Sequence, residues 1–121
     1  MIKKHTISFI HAYEGLIWAL KTQPNYKIHF FLSLLSIIGG YVFKIDHYEF
    51  LIVILLITIG FAIETINTSI EQAADAIDIK WRQDLKIVKD VSAGAMLFFA
   101  IGSFIIACFI FIPKILALIY Y

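Results

Sequence analysis

Residues 91–113, VSAGAMLFFAIGSFIIACFIFIP, run from Val91 to Pro113 without one charged side chain. A helix crossing a bilayer needs roughly 20 predominantly apolar residues, so this stretch is read as a membrane span, with helix predicted over 87–118. Upstream lies a second uncharged run, Phe50 to Ile63, which meets a carboxylate at Glu64. No Gly or Pro follows before Lys80, so nothing stops the helix there. One long helix is predicted over 48–77, its first half in lipid and its second half amphipathic. The remaining apolar run, Ile28 to Phe43, is short for a span. Tyr26, Lys27 and Lys44 at its ends are expected to snorkel to the interface, giving a first span over 28–45.

Residues 6–22 carry Phe9, Ile10, Tyr13, Leu16, Ile17 and Leu20 at three- and four-residue spacing, one apolar stripe on a helix. His11, Glu14 and Lys21 fall elsewhere. Such a helix suits the headgroup boundary, as do Tyr13 and Trp18. Pro24 ends it, and Asn25 is expected to cap the next helix. Asp46 is expected to cap the second span, with His47 and Glu49 solvated on the outer loop. The sequence therefore predicts an all-α membrane protein forming a single domain over 1–121. It has an N-terminal amphipathic surface helix and three transmembrane helices.

Composition agrees. Of 121 residues, 61% are hydrophobic and 16% charged, with a mean hydropathy of +0.88. Soluble domains run at about 45–50% apolar and about 25% charged. The ten Lys and Arg are scattered and form no nucleic-acid footprint. Cys108, the single cysteine, sits in an apolar run and is read as a small hydrophobe. The N-terminal Lys3 and Lys4 are not followed by a signal-peptide pattern: His11 and Glu14 interrupt the segment and no small-residue cleavage site occurs.

Basic residues orient the chain. Lys3, Lys4, Lys21 and Lys27 precede the first span, and Lys80, Arg82, Lys86 and Lys89 lie between the second and third. The other side holds only Lys44 and Lys114. The N-terminus and the 78–90 loop are therefore expected to be cytoplasmic, in the bacterial cytoplasmic membrane.

The second span carries the chemistry. At about 100° per residue, Asn67, Glu71, Asp75 and Asp78 lie within roughly 60° of Glu64. A solvated exit from the membrane explains Asp75 and Asp78. It does not explain Glu64, because a carboxylate against an apolar run is costly and marks function. A carboxylate held away from water is the better proton acceptor. A second one nearby, Glu71, supplies a hard oxygen for Mg²⁺. Lys80, Arg82, Lys86 and Lys89 offer charge for phosphates. Base, metal and phosphate clamp are the parts of phosphoryl transfer, here to a hydroxyl at the membrane interface. Neither GxxxxGK[ST] nor GxGxxG occurs, so the soluble nucleotide cradles are absent. His29, one turn into the first span, is read as bonded to a neighbouring helix rather than as a phosphate sensor.

Two motifs in order, Glu64-x-x-Asn67-Thr-x-Ile70-Glu71 and Lys89-Asp90-Val-x-Ala-Gly94-Ala, resemble the signature of the prokaryotic diacylglycerol kinase family, which also contains the undecaprenol kinases. Gly15-Leu, Asn25-x-Lys27-Ile28-His29 and Ile112-Pro113-Lys114 extend the resemblance over nearly the whole chain. The Asn-x-basic-Ile-His and Ala-Gly-Ala elements are more similar to the undecaprenol-kinase-like branch. The resemblance implies γ-phosphoryl transfer from MgATP to a membrane alcohol, undecaprenol or diacylglycerol. It implies Glu64 as base and Asn67 placing the lipid or the γ-phosphate. Glu71 would hold Mg²⁺ with the nucleotide. Lys89 and Asp90 would contact ATP, with Lys80, Trp81, Arg82 and His11 lying over it. It also implies a homotrimer with sites shared between protomers, for which Ser92, Ala93, Gly94 and Ala95 allow close helix approach. One position departs. The family usually has a metal-binding glutamate where this chain has Gln23, whose amide oxygen is uncharged, so weaker metal affinity is expected. Two rivals are a small proton-coupled transporter with Glu64 as carrier, and a non-catalytic family member.

Overall fold

The computed structural model describes residues 2–120, with side chains from Thr6 onward; Lys3 and Lys4, counted above for topology, lie outside the described side chains. Four helices follow one another: α1 (Ile2–Thr22), α2 (Asn25–Val42), α3 (His47–Ile77) and α4 (Gln83–Tyr120). No strand occurs among the described residues. The all-helical class and the element order agree with expectation. α3 is the hub: α2 and α4 both pack along it, and α1 touches α2 and α3.

The connections are short and chemically explicit. Pro24 separates α1 from α2 and is itself the N-cap of α2, with no side-chain cap. Asn25 therefore sits inside the first turn instead of capping it, which corrects the expectation. α2 stops at Val42, short of Ile45, because the chain turns left-handed at Lys44 (φ 51°). The Lys44 N–H then bonds the Tyr41 carbonyl (3.3 Å) and the Ile45 N–H bonds the Gly40 carbonyl (3.0 Å), a Schellman closure of the free helix carbonyls. Gly40 is required here, since an added Cβ would lie 2.9 Å from Ile45 Cδ1 and 2.8 Å from Phe50 Cζ.

Asp46 caps α3 as expected. Its carboxylate accepts from the N–H groups of Tyr48 (2.8 Å) and Glu49 (3.0 Å). Glu49 is not merely solvated: its Oε2 accepts the Asp46 N–H at 2.7 Å and pairs with Lys114 Nζ at 3.0 Å. Below this cap Ile45, Val53 and Ile110 form a buried cluster with Phe50, Ile57 and Phe111 packed on it.

Most of the apolar surface is not in that cluster. α3 and α4 are both long and apolar enough to cross a membrane, and little of either is buried inside the protein. Side chains such as Phe98, Phe104, Phe109 and Leu118 face outward. Water would not tolerate patches of this extent on a soluble protein. α2 is the shortest of the three, begins with Asn25, Tyr26 and Lys27 and carries His29, and it does not reach the span-like length and apolarity of α3 and α4. An added Cβ on Gly60 of α3 would lie 2.9 Å from Phe99 Cε1 of α4, so the hydrogen there sets how closely these helices meet.

Candidate active site at the membrane boundary

The site is built on α3 where its apolar half gives way to its polar half. Glu64 is 2% exposed, and Asn67 and Thr68 are buried with it. A buried carboxylate demands a partner, and α2 supplies one: His29 Nε2 lies 3.6 Å from Glu64 Oε2. The two helices are pinned at this level by the Tyr26 and Thr65 hydroxyls, 2.6 Å apart. The rings of Tyr26, His29 and Phe30 all lie against Phe61. One turn beyond Glu64, the Asn67 side-chain N–H donates to Glu71 Oε1 (3.0 Å). Asn67 Oδ1 is buried without a hydrogen-bond partner, an oxygen aimed at something the protein does not itself provide.

Further along the same face, Lys89 Nζ of α4 meets Asp75 Oδ1 of α3 at 2.5 Å. Thus Glu64, Asn67, Glu71 and Asp75 form a continuous line, with Lys89 closing its outer end. Asp90, next in sequence, points elsewhere and pairs with Lys86 on its own helix. Successive helical residues differ by about 100°, so Lys89 and Asp90 leave α4 on different sides. Arg82 clasps Asp84 through two bonds (2.6 and 3.2 Å). That hydrogen bond holds the Asp84 carboxyl below its usual range and raises Arg82 further. Trp81 and Lys80 are exposed in the connecting loop, where the Lys80 N–H bonds Asp78 (2.8 Å). None of these three is bonded to Glu71 among the described contacts.

His11 pairs with Glu14 on α1 (3.2 Å). It also lines a crevice between α1 and α3 shared by Trp18, Thr65, Thr68, Ser69 and Gln72. Gln23 is half-buried at the end of α1 and bonds Thr22 (3.5 Å); no described contact joins it to Glu71. Among the described residues no three His, Cys, Asp or Glu side chains cluster for a metal. Mg²⁺ needs less, since it keeps several waters and takes one or two carboxylates plus substrate phosphate. Glu71 and the unpartnered Asn67 oxygen fit that pattern.

On the other side of Glu64, an apolar groove of about 350 Å³ runs between α2, α3 and α4, from His29 and Gly60 past Phe99 and Ser103 to Phe111. The sequence did not signal this groove; the reading of His29 as held by a neighbouring helix agrees with the structure, which supplies Glu64 as the partner. A signal for the pairing existed. Both are ionisable residues beside apolar runs on successive helices, and such residues pair with one another.

The family model of the prokaryotic diacylglycerol kinases matches residues 10–111, which include every residue of this line. The chain belongs to the prokaryotic diacylglycerol kinase family. It is 36% identical over 108 residues to the undecaprenol kinase of Bacillus subtilis, covering 89% of this chain and 88% of that one. It is 28% identical over 113 residues to a diacylglycerol kinase of Synechocystis, covering 93% of this chain and 65% of that protein. Membership in the prokaryotic diacylglycerol kinase family makes the chain a lipid kinase and sets the transporter aside.

Proposed function

We propose that the protein transfers the γ-phosphoryl group of MgATP to the hydroxyl of a membrane lipid alcohol, undecaprenol in preference to diacylglycerol. The observation that carries this is the position of Glu64. Its buried carboxylate lies 3.6 Å from His29, which lines the apolar groove, and it begins the line of polar groups on α3. A lipid chain in the groove would bring its hydroxyl to Glu64 from the membrane, while a nucleotide would reach Glu71 and Lys89 from the cytoplasm. The preference follows the higher identity to the undecaprenol kinase.

In this mechanism Glu64 takes the hydroxyl proton and Asn67 places the lipid oxygen or the γ-phosphate. Glu71 and the Asn67 oxygen, with Gln23 as a further ligand, would hold the metal, which when bound would neutralise phosphate charge. Lys89 moves from Asp75 to phosphate, a charge-assisted exchange at nearly equal geometry. Asp90, Lys80, Trp81, Arg82 and His11 complete the nucleotide site. Arg82 must first leave Asp84 to do so.

The same proposal sets the topology. α2, α3 and α4 cross the bilayer, with α1 on the cytoplasmic surface and the 78–82 loop beside it. α2 is 18 residues long, about 27 Å of helix against about 30 Å of hydrocarbon, so Lys27 and Lys44 anchor its ends. The scattered positions of Trp81, Lys80 and Asp90 relative to Glu71 support a homotrimer whose protomers complete one another's nucleotide sites.

The test offers purified protein in detergent micelles γ-labelled MgATP with undecaprenol and diacylglycerol side by side. Label in both lipids, faster in undecaprenol, is expected. Folded protein that labels neither lipid would overturn the proposal in favour of a non-catalytic member.

A further inference from the structure

The mechanism above gives Glu64 a proton and leaves it there. Glu64 is 2% exposed, so water does not reach the carboxylate freely to collect that proton. It must be lost before the next turnover. The group beside it is His29. Its Nε2 is 3.6 Å from Glu64 Oε2, and its side chain is 19% exposed against 3% for the Glu64 side chain. The ring is held in place: Phe61 lies 5.8 Å away, centroid to centroid, and an added Cβ on Gly60 would stand 3.8 Å from Nδ1. No other charge competes for it among the described contacts. α3 presents Glu64, and the α4 side chains sharing its groove, Met96 and Phe99, are neutral. The neighbouring Tyr26 hydroxyl is taken by Thr65, and His11 of α1 is paired with Glu14.

We infer that His29 is a positioning residue for Glu64 and the acceptor to which Glu64 passes its proton; this rests on the kinase reaction proposed above. Imidazole suits both tasks, because Nε2 stands beside the carboxylate while the ring is 19% exposed against 3% for Glu64, and one ring can both take up a proton and release it. The lipid O–H bond breaks and its proton passes through Glu64 to His29 Nε2, leaving an imidazolium beside a carboxylate. The oxygen's electron pair forms the new bond to the γ-phosphorus. The bond from that phosphorus to the bridging oxygen breaks, and ADP leaves with the pair. The imidazolium then yields one proton to water, and the neutral ring beside an ionised Glu64 is restored.

The experiment compares steady-state kinetics of wild type, His29→Ala and His29→Gln in the labelled-ATP assay, with and without added imidazole. Glutamine fills the site and can hydrogen-bond Glu64 but cannot take up a proton. Both variants are expected to lose about a hundredfold in kcat, with KM for lipid and ATP little changed. Imidazole is expected to restore part of the His29→Ala activity in the same sample, which also shows that this variant is folded. His29→Gln within about threefold of wild-type kcat would overturn the relay, as would a loss confined to KM or an absence of imidazole rescue. An inactive wild type would overturn the kinase proposal and this inference together, whereas an active wild type with unaffected variants removes the inference alone.

Discussion

At the scale of single residues, the site is a division of labour along one face of α3. Lys89 is the clearest case for experiment. Its pair with Asp75 is more than a third exposed on both sides, and such pairs contribute under about 1 kcal/mol. Lys89→Ala is therefore expected to leave thermal stability nearly unchanged while raising KM for ATP about tenfold, the loss of one charge-assisted phosphate contact. Kinetics and a melting curve on the same preparation check both halves. Gln23 gives a second test. Gln23→Glu adds a carboxylate where the resembling family has one, and is expected to lower the Mg²⁺ concentration needed for half-maximal rate; an unchanged Mg²⁺ titration would remove Gln23 from the metal site. The Glu64–Asn67–Glu71 line was legible in the sequence because helical periodicity alone puts those residues on one face. The His29–Glu64 pair was not, because it depends on the register between two helices. Asp75 was read as solvated for the same reason: its partner, Lys89, lies on another helix.

At the scale of elements, helix ends decide the architecture. The Asp46 capping box at α3 was readable, since an acidic residue three positions before a glutamate is a local signal. The termination of α2 was not, because it uses a lysine in the left-handed conformation, where glycine is usual. That conformation costs an L-residue about 1 kcal/mol. Lys44→Gly is accordingly expected to stabilise the protein by about 1 kcal/mol and Asp46→Ala to destabilise it by about 1 kcal/mol, both read from denaturation in detergent. Pro113 lies inside α4, which continues to Tyr120. The Lys114–Glu49 pair ties that continuation to the cap of α3.

At the scale of the whole molecule, the protein has little interior of its own. Its buried hydrophobic residues are few, and its large apolar side chains mostly face outward. Lipid must do what a core does in water. This is why composition announced a membrane protein at once. In the proposed mechanism the membrane boundary is the organising plane, with Glu64 on it, lipid on one side and nucleotide on the other. The most direct test of that account is lipid labelling from γ-labelled MgATP by wild type and Glu64→Gln, matched for helix content by circular dichroism. The account predicts labelled lipid with the wild type and none above background with a folded Glu64→Gln. Wild-type-like labelling by the variant would contradict it and take Glu64 out of the base role.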